Sequence, residues 1–233
     1  LAGTSRSIAN THILDLNVSK KDFFQSGRTG KFPYIETVRK EVERLHPDFV
    51  GITCLFSEQF EMVLNIADEV KKAHPQAVTI LGGMHPTIFY KDILTNCSNV
   101  DAVAIGEGEE TLKKILTLDM DKWGSIDGFA FKNREKRIVI SPKASFLEDL
   151  DTLPPQAYDM FDFSAYKLDS SGWYNPKKLD IGTSAPILTS RSCPYKCSFC
   201  AMNLVMGTSF RARSAESVFK EIEYLYNERG VRY

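Results

Sequence analysis

The chain has 233 residues, of which 43% are hydrophobic, and its formal net charge is −1. Lysine and arginine are spread along it, which argues against a nucleic-acid-binding surface. No apolar run approaches the ~18 residues of a membrane span, and no stretch resembles a signal peptide. Five cysteines are too few for a disulfide scaffold, so we expect reduced thiols and a cytoplasmic protein. Leu1 is not an initiator methionine, and we expect the chain to be a segment of a longer protein, incomplete at both ends.

Strands and helices alternate through the first half of the chain. Short apolar runs predict strands, and apolar residues at helical spacing predict helices. The predicted strands are His12–Leu16, Phe49–Thr53, Ala77–Leu81 and Ala102–Ile105, and the predicted helices are Thr37–Leu45, Glu58–Ala73 and Glu109–Leu118. This order is typical of a parallel sheet with right-handed crossovers. The expected fold class is therefore α/β, with a parallel sheet.

Three loops follow the predicted strands, and they are the expected ligand-binding positions. They are Thr53–Ser57, Gly82–Thr87 and Gly106–Glu109. Parallel sheets bind ligands at the carboxyl ends of their strands, and glycines there let the backbone approach a bulky ligand. The alternative is that these glycines only make tight turns between strand and helix.

The pattern changes after residue 120. Ile126–Phe131 and Arg137–Ile140 flank a short polar stretch, which predicts a β-hairpin. Leu147–Pro155 is an acidic connector that ends in prolines. Tyr166–Asp180 is polar and aromatic, and a cap over an active site is one interpretation of it.

Three cysteines near the C-terminal end carry the strongest chemical signal. Cys193, Cys197 and Cys200 have the spacing Cys-x3-Cys-x2-Cys and follow the apolar run Ala185–Leu188. Thiolates are soft ligands for zinc, copper(I) or iron–sulfur clusters. Three of them can hold three irons of a [4Fe–4S] cube and leave one iron open, and the fourth cysteine of ferredoxin-type runs does not follow. The alternatives are a structural zinc site with a distant fourth ligand and unrelated buried thiols.

A helix is predicted after the cysteines, from Ser214 as N-cap through Tyr226, with a new strand at Val231. Strand, cysteine loop, helix and strand make one βα unit of a barrel, and barrel enzymes place their chemistry on loops after strands. Arg211 and Arg213 either contact an anionic cofactor group or have surface and helix-start roles.

The cysteine segment resembles the radical S-adenosylmethionine (radical SAM) superfamily, whose signature is Cys-x3-Cys-x-aromatic-Cys. Phe199 fills the aromatic place. The resemblance implies that the open iron of a [4Fe–4S] cluster is chelated by S-adenosylmethionine. One-electron reduction then yields a 5′-deoxyadenosyl radical, which the protein places against its substrate.

The first half of the chain resembles the cobalamin-binding domain of cobalamin-dependent radical SAM enzymes. The matching segments are Leu1–Gly3, Pro47–Thr53, Gly82–Thr87 and Gly106–Thr111. The resemblance implies a Rossmann-like fold. The domain's first strand, whose loop carries the lower-axial histidine in other cobalamin proteins, is absent from this chain.

The resemblance also implies which residues bind cofactor. Thr53 and Leu55 occupy the place of a Ser-x-Leu segment, with threonine keeping the hydroxyl, and they surround the nucleotide tail together with Gly82 and Gly83. His85 is either a cobalt ligand, a turn residue or a contact to a cofactor amide. Cys54 either touches cofactor or is a small buried hydrophobe. The implied cofactor-binding residues are Thr53, Leu55, Ser57, Gly82, Gly83, His85, Gly106, Glu107, Gly108 and Phe199, and the implied metal ligands are Cys193, Cys197 and Cys200.

These expectations combine into one hypothesis. Residues 1–120 are expected to form the cobalamin-binding domain, 121–182 a linker with the hairpin, and 183–233 the start of a radical SAM barrel. The implied reaction is methyl transfer to an unactivated carbon or phosphorus of a small-molecule substrate, with flavodoxin or ferredoxin as reducing partner. No catalytic residue is assigned. The alternatives are a cobalamin-dependent cyclase or rearrangement enzyme, a radical SAM enzyme with an empty Rossmann-like domain, and a non-catalytic cobalamin sensor.

Overall fold

The computed structural model describes residues 1–166 and 183–232. Seven strands are present in these ranges, and five of them form one sheet in the order β1-β2-β3-β4-β5. These five are β1 Phe49–Thr53, β2 Val78–Gly82, β3 Ala102–Ala104, β4 Phe129–Lys132 and β5 Ile138–Ser141. The other two, β6 Ser190–Arg191 and β7 Arg211–Ala212, pair with each other.

Eight α-helices accompany the strands in the described ranges. They are α1 Ala2–Ser5, α2 Leu16–Gln25, α3 Tyr34–Leu45, α4 Phe60–Ala73, α5 Met84–Asn96, α6 Glu109–Thr117, α7 Met202–Met206 and α8 Ala215–Glu228. In the described ranges, no helix combines the length and the apolar character that a bilayer crossing requires.

The five-stranded sheet is mixed. β1, β2 and β3 run parallel, whereas β4 pairs antiparallel with both β3 and β5. The predicted α/β, Rossmann-like fold is therefore confirmed, and so is the hairpin, which is built from β4 and β5. Because β4 pairs with β3, the sheet continues past residue 120, where the first domain boundary is predicted.

The two faces of the sheet bury different clusters because side chains alternate along a strand. Leu81 and Val103 face one side, where they pack with apolar residues of α3, α4 and α5. Ile80, Ala102 and Phe129 face the other side, where they pack with an aromatic and aliphatic cluster. Its remaining buried members are Ile115, Trp123, Ile126 and Phe131.

Two strand predictions are wrong, and the reason is the same. His12–Leu16 is not a strand: the described chain has no neighbour paired with it, and Leu16 already begins α2. Asp15 caps this helix by accepting the Asn17 N–H at 2.9 Å. Ala185–Leu188 likewise has no strand partner, and the strand pair begins two residues later, at Ser190.

The strand predicted at Val231 is represented by one hydrogen bond rather than a ladder. Arg232 donates its backbone N–H to the carbonyl of Thr183 at 2.9 Å. After α8 the chain therefore returns beside the segment that precedes the cysteines. The predicted helix through Tyr226 is confirmed as α8, with Ser214 as its N-cap. Of the predicted aromatic cap Tyr166–Asp180, residues 167–180 lie outside the described residues.

Candidate functional site

The carboxyl ends of β1 and β2 lie side by side, with Thr53 paired to Gly82. The next residue, Gly83, has φ +101°, a conformation that residues with a Cβ rarely adopt. A Cβ on Gly83 would lie 2.6 Å from the Cys54 carbonyl oxygen, which also accepts the His85 N–H at 3.3 Å. Gly83 therefore lets α5 start directly against the loop after β1.

Gly82 faces open space instead. A Cβ built on it would meet no atom within 4 Å. Large apolar side chains that are exposed stand on the neighbouring loop and helix, namely Leu55, Phe56, Ile88 and Phe89. Exposed apolar side chains grouped in this way mark a binding surface. The carboxyl edge of the sheet thus offers a bare backbone position beside an apolar surface.

Most of the predicted cofactor-binding residues line a single open cleft, with a volume of about 2700 Å³. They are Thr53, Leu55, Gly82, Gly83, Gly106, Glu107 and Gly108. Ser57 and His85 are not part of this lining, although they contact each other beside it. The cleft also runs along β1 and reaches the N-terminal segment and α8.

His85 is held between two aromatic rings. Its ring centroid lies 4.3 Å from that of Phe60 and 4.7 Å from that of Phe89, and its Nδ1 lies 2.8 Å from the Ser57 hydroxyl oxygen. Burial lowers the pKa of His85, so the imidazole is neutral at neutral pH. A neutral, oriented imidazole is suited to hydrogen bonding or to coordination.

Cys54 is fully buried, and burial raises the pKa of its thiol. Its Sγ lies 3.4 Å from the Phe56 carbonyl oxygen. Cys54 therefore packs as a small hydrophobe in the core cluster below the site, as one of the two expectations had it.

The loop after β3 meets the C-terminal segment. Glu107 is buried, and its Oε2 accepts the Arg211 Nη1–H at 2.9 Å and the Leu147 N–H at 3.2 Å. Gly106 has φ +75°, and a Cβ on it would lie 2.9 Å from the Val205 carbonyl oxygen. These two predicted cofactor-binding residues thus also form the contact with the segment that carries the cysteines.

The three cysteines lie on an exposed segment between β6 and α7. Cys193 is half-buried, whereas Cys197 and Cys200 are exposed. Phe199 is 90% exposed, so its ring covers nothing. Within residues 1–166 and 183–232, no three His, Cys, Asp or Glu side chains are gathered closely enough to hold a metal ion. The three thiols therefore lie on one accessible loop, but they are not arranged around a common metal position.

The donor set of this loop still fits an iron–sulfur cluster. Thiolate is the ligand of such clusters, and hydrogen bonds hold the loop at Ser192 and at Tyr195 while Cys197 and Cys200 stay exposed. Ser192, with φ +68°, donates its hydroxyl to the Gly207 carbonyl, and Asn203 donates to the Tyr195 carbonyl at 2.9 Å.

Sequence reasoning missed two parts of the site. Helix α5 begins with Met84, His85 and Pro86, and the glycines and proline there indicate a turn. The second is the pairing of Arg191 and Arg211 with Glu107 and Glu109. The sequence did contain a signal for this pairing. Two arginines flank the cysteines, and two glutamates, which carry the opposite charge, lie together in a glycine-rich loop.

Comparison with known proteins agrees with the fold. Residues 3–116 match the family described as "B12 binding domain". The chain is 28% identical to "Uncharacterized methyltransferase PH0819" of Pyrococcus horikoshii, over 84% of this chain and 40% of that protein. It is 30% identical to the "Anaerobic magnesium-protoporphyrin IX monomethyl ester cyclase" of Rubrivivax gelatinosus, over 85% of this chain and 34% of that protein.

A solved structure has the same fold. It is the radical S-adenosylmethionine methyltransferase TsrM from Kitasatospora setae, with cobalamin and a [4Fe-4S] cluster bound. The TM-score is 0.59 at 20% identity, over 85% of this chain and 38% of that chain.

The part of the chain that carries β1, β2 and β3 thus matches the B12-binding domain family. The resemblance to cobalamin-dependent radical SAM enzymes that the sequence indicated is confirmed by these matches. It spans no more than 40% of the length of the relatives named above.

Proposed function

We propose that the protein is a radical SAM enzyme that uses cobalamin to transfer a methyl group to a small-molecule substrate. One observation carries this proposal. The Cys-x3-Cys-x2-Cys segment is joined to the loop after β3 by one buried and one half-buried ion pair, so the proposed cluster loop adjoins the carboxyl edge of the B12-binding domain. Two cofactors that act on one substrate require such neighbouring sites.

The carboxyl edge of the sheet fits cobalamin on physical grounds. Gly82 presents bare backbone to open space, and exposed Leu55 and Phe56 stand beside it. A large, partly apolar ligand with amide groups would cover the apolar side chains and approach the backbone at Gly82. In this proposal Thr53, Gly83, Gly106 and Gly108 line the same pocket, and Ser57 orients His85 towards its rim.

Cys193, Cys197 and Cys200 would hold the cluster, and Phe199 would cover it. When bound, the cluster would supply the electron that cleaves S-adenosylmethionine, and cobalamin would supply the transferable methyl group. The chain's own residues bind and orient these groups. A cytoplasmic location, a flavodoxin or ferredoxin as reducing partner, and a barrel segment that starts at residue 183 belong to the same proposal.

A cyclase or rearrangement enzyme is the second candidate. The relative from Rubrivivax gelatinosus is named a cyclase and is 30% identical to this chain. Both candidates need the same cofactors. Transfer of an isotopically labelled methyl group from S-adenosylmethionine to product favours methylation, and product formation without label favours the cyclase.

The proposal is tested by the iron and cobalt content of the protein, purified without oxygen from cells supplied with cobalamin. We expect iron equivalent to one [4Fe–4S] cluster and an equimolar amount of cobalt. Iron without cobalt would contradict the cobalamin-dependent mechanism and leave the radical SAM enzyme with an empty Rossmann-like domain. Cobalt without iron would contradict the radical SAM mechanism and support the non-catalytic cobalamin sensor.

Replacement of one proposed ligand sharpens the test. Cys197→Ala should lose the cluster absorbance and the reductive cleavage of S-adenosylmethionine, because two thiolates cannot hold the cube. Cys97→Ala is the matched control, since Cys97 lies at the end of α5 in the sheet domain. Normal cleavage by Cys197→Ala would contradict the assignment of the ligands.

A further inference from the structure

Glu107 and Glu109 hold the cysteine segment at both of its ends. Arg191, two residues before Cys193, places its Nη2 2.6 Å from Glu109 Oε1 and its Nη1 3.3 Å from Glu109 Oε2. Arg211, which follows the segment, pairs with Glu107 at 2.8–2.9 Å. We call these four residues the Glu–Arg clamp. Both of its carboxylates come from the loop after β3, and both guanidiniums come from the β6–β7 pair.

Arg211 is fixed in a single orientation. It is 7% exposed and lies 5.5 Å from the Phe146 ring centroid. Besides Glu107, it donates to the carbonyl of Leu147 at 2.7 Å and to that of Met206 at 2.8 Å. Each nitrogen of this guanidinium thus has a defined acceptor, because Nε reaches the Ser209 carbonyl at 3.3 Å. A planar guanidinium that is hydrogen-bonded at every nitrogen fixes the orientation of its acceptors in addition to attracting them.

The Glu–Arg clamp is poorly explained as a device for stability alone. The free energy needed to desolvate an ion pair is about as large as the attraction between its charges. Apolar residues of the same volume therefore often stabilise a fold equally well. Glu107 Oε1 lies 2.8 Å from Arg211 Nη2 and 3.5 Å from Arg191 Nη1, so this carboxylate contacts both arginines. What the Glu–Arg clamp provides is a fixed distance between the loop after β3 and the cysteine segment.

We propose that Glu107 and Glu109 are positioning residues that set the placement of the cysteine segment relative to the cofactor site at the carboxyl edge of the sheet. This inference rests on the proposed function, because it concerns the relation between the two cofactors. In this inference each glutamate acts through the arginines, and Glu107 reaches Arg191 at 3.5 Å as well as Arg211. Misplacement by about 1 Å can cost two orders of magnitude in rate, so two anchors on opposite sides of the cysteines have a functional reason.

The first test needs no cofactor. Hydrogen exchange is measured by mass spectrometry in the wild type, Glu107→Gln and Glu109→Gln. We expect exchange across residues 192–210 to become roughly tenfold faster in both variants, because local opening is governed by the contacts that hold a segment, while exchange in β2 is unchanged. Glu216→Gln is the control, since its pair with Lys220 is exposed.

Glu107→Gln leaves Arg211 buried without its counter-charge and can prevent folding for that reason alone. A double variant separates this effect from the one under test. Glu107→Gln combined with Arg211→Met removes both charges at similar volume and should remain folded. It should still show the faster exchange, since methionine cannot donate the hydrogen bonds that Arg211 gives to residue 107 and to the Leu147 and Met206 carbonyls. Wild-type exchange across 192–210 in the folded double variant would overturn the inference.

The second test uses the loaded protein and a spectroscopic readout. Cob(II)alamin and the reduced cluster are both paramagnetic, so their dipolar coupling reports the distance between them. We expect Glu109→Gln to keep iron and cobalt at wild-type content while the distribution of this distance broadens; Glu107 is left intact in this test because it also lines the cofactor cleft. If a variant with full metal content has the wild-type distribution of cluster-to-cobalt distances, this inference is overturned and the proposed function stands. A wild type that holds no cobalt would overturn the proposed function and this inference with it.

Discussion

Gly82 and Gly83 are adjacent in the chain and have different roles. Gly82 ends β2 in ordinary backbone geometry and faces open space, whereas Gly83 has φ +101° and ψ −172° and touches the loop after β1. The first leaves room for a ligand. The second gives the backbone a conformation that only glycine adopts readily. A Gly-Gly pair at a strand end thus combines a binding role with a folding role.

Gly83→Ala should therefore lower the free energy of unfolding by about 1–3 kcal/mol, because the new methyl group meets the Cys54 carbonyl oxygen at 2.6 Å. Urea unfolding measures the loss. Gly82→Ala is the matched control: it should leave the free energy of unfolding near the wild-type value and weaken cobalamin binding, since its methyl group enters the open side. Equal stability of the two variants would contradict the assigned roles.

At the scale of elements, α8 connects the cysteine segment to the returning chain. Ser214 caps this helix by accepting the Ser217 N–H at 3.1 Å. The Ser214 N–H is itself bound by both carboxylate oxygens of Asp151, at 3.1 Å. The acidic connector Leu147–Pro155, to which Asp151 belongs, thus also helps to hold the start of α8.

Ser214→Ala should cost about 1 kcal/mol of stability, because Ser217 then loses its capping acceptor, and Ser214→Gly should cost only a few tenths. Hydrogen exchange at the first turn of α8 measures the effect locally. Equal losses in the two variants would show that the hydroxyl contributes no cap.

The contact between the loop after β3 and β6 depends on pH in a defined direction. Burial acts to raise the pKa of Glu109, but the Arg191 guanidinium outweighs it and holds this pKa below its ordinary value of 4.5. A lowered pKa means that the pair stabilises the fold at neutral pH and loses this contribution as the pH falls through the folded-state pKa. Above the ordinary value, the contribution is fully present.

We therefore compare the thermal unfolding midpoints of the wild type and Glu109→Gln from about pH 7 to about pH 3. The wild type should be the more stable near neutral pH, and the difference should shrink only below pH 4.5, the ordinary pKa of the carboxyl group. A difference that disappears at higher pH would mean that Arg191 does not hold the carboxylate.

At the scale of the whole molecule, the hairpin completes the core of the sheet domain. Phe129 and Phe131 of β4 are buried and each lies 5.6 Å from the Trp123 ring, measured between centroids. These three aromatic residues cover the face of the sheet opposite α3 and α4. The residues after 120 are therefore part of the packing of the first domain and not a free linker.

A fragment of residues 1–120 should therefore aggregate or remain unfolded, because it exposes the sheet face that this aromatic cluster buries. A fragment of residues 1–148 should stay soluble and show a cooperative unfolding transition. Circular dichroism and size-exclusion chromatography distinguish the two. A folded 1–120 fragment would restore the boundary predicted at residue 120.

The sequence was informative where local chemistry determines structure. Apolar runs bounded by Pro47-Asp48 and by Gly82-Gly83 predicted β1 and β2. It was misleading at His12–Leu16, because a strand needs a paired neighbour that periodicity cannot supply. It missed α5 because Pro86 indicates a turn, although proline is tolerated in the first turn of a helix.

The Glu–Arg clamp could not be predicted from one sequence. Arg211 and Glu107 are 104 positions apart in the chain, and Arg191 and Glu109 are 82 apart. Charged residues at such separations meet only because the chain passes from the sheet to β6 and β7. The glycines of the loop after β3 could be read from the sequence, but the partners of its glutamates could not.

The five cysteines differ in exposure, so alkylation of the thiols can be used to follow the state of the protein. Cys197 and Cys200 are exposed, Cys193 and Cys97 are half-buried, and Cys54 is fully buried. Burial raises the pKa of the Cys54 and Cys97 thiols, so alkylation by iodoacetamide at neutral pH should modify the exposed pair first, because the thiolate is the reactive form. A bound cluster would mask that pair. The mass of the alkylated protein therefore reports how much of a preparation carries its cluster, and exposure to air should destroy this protection before it changes the fold.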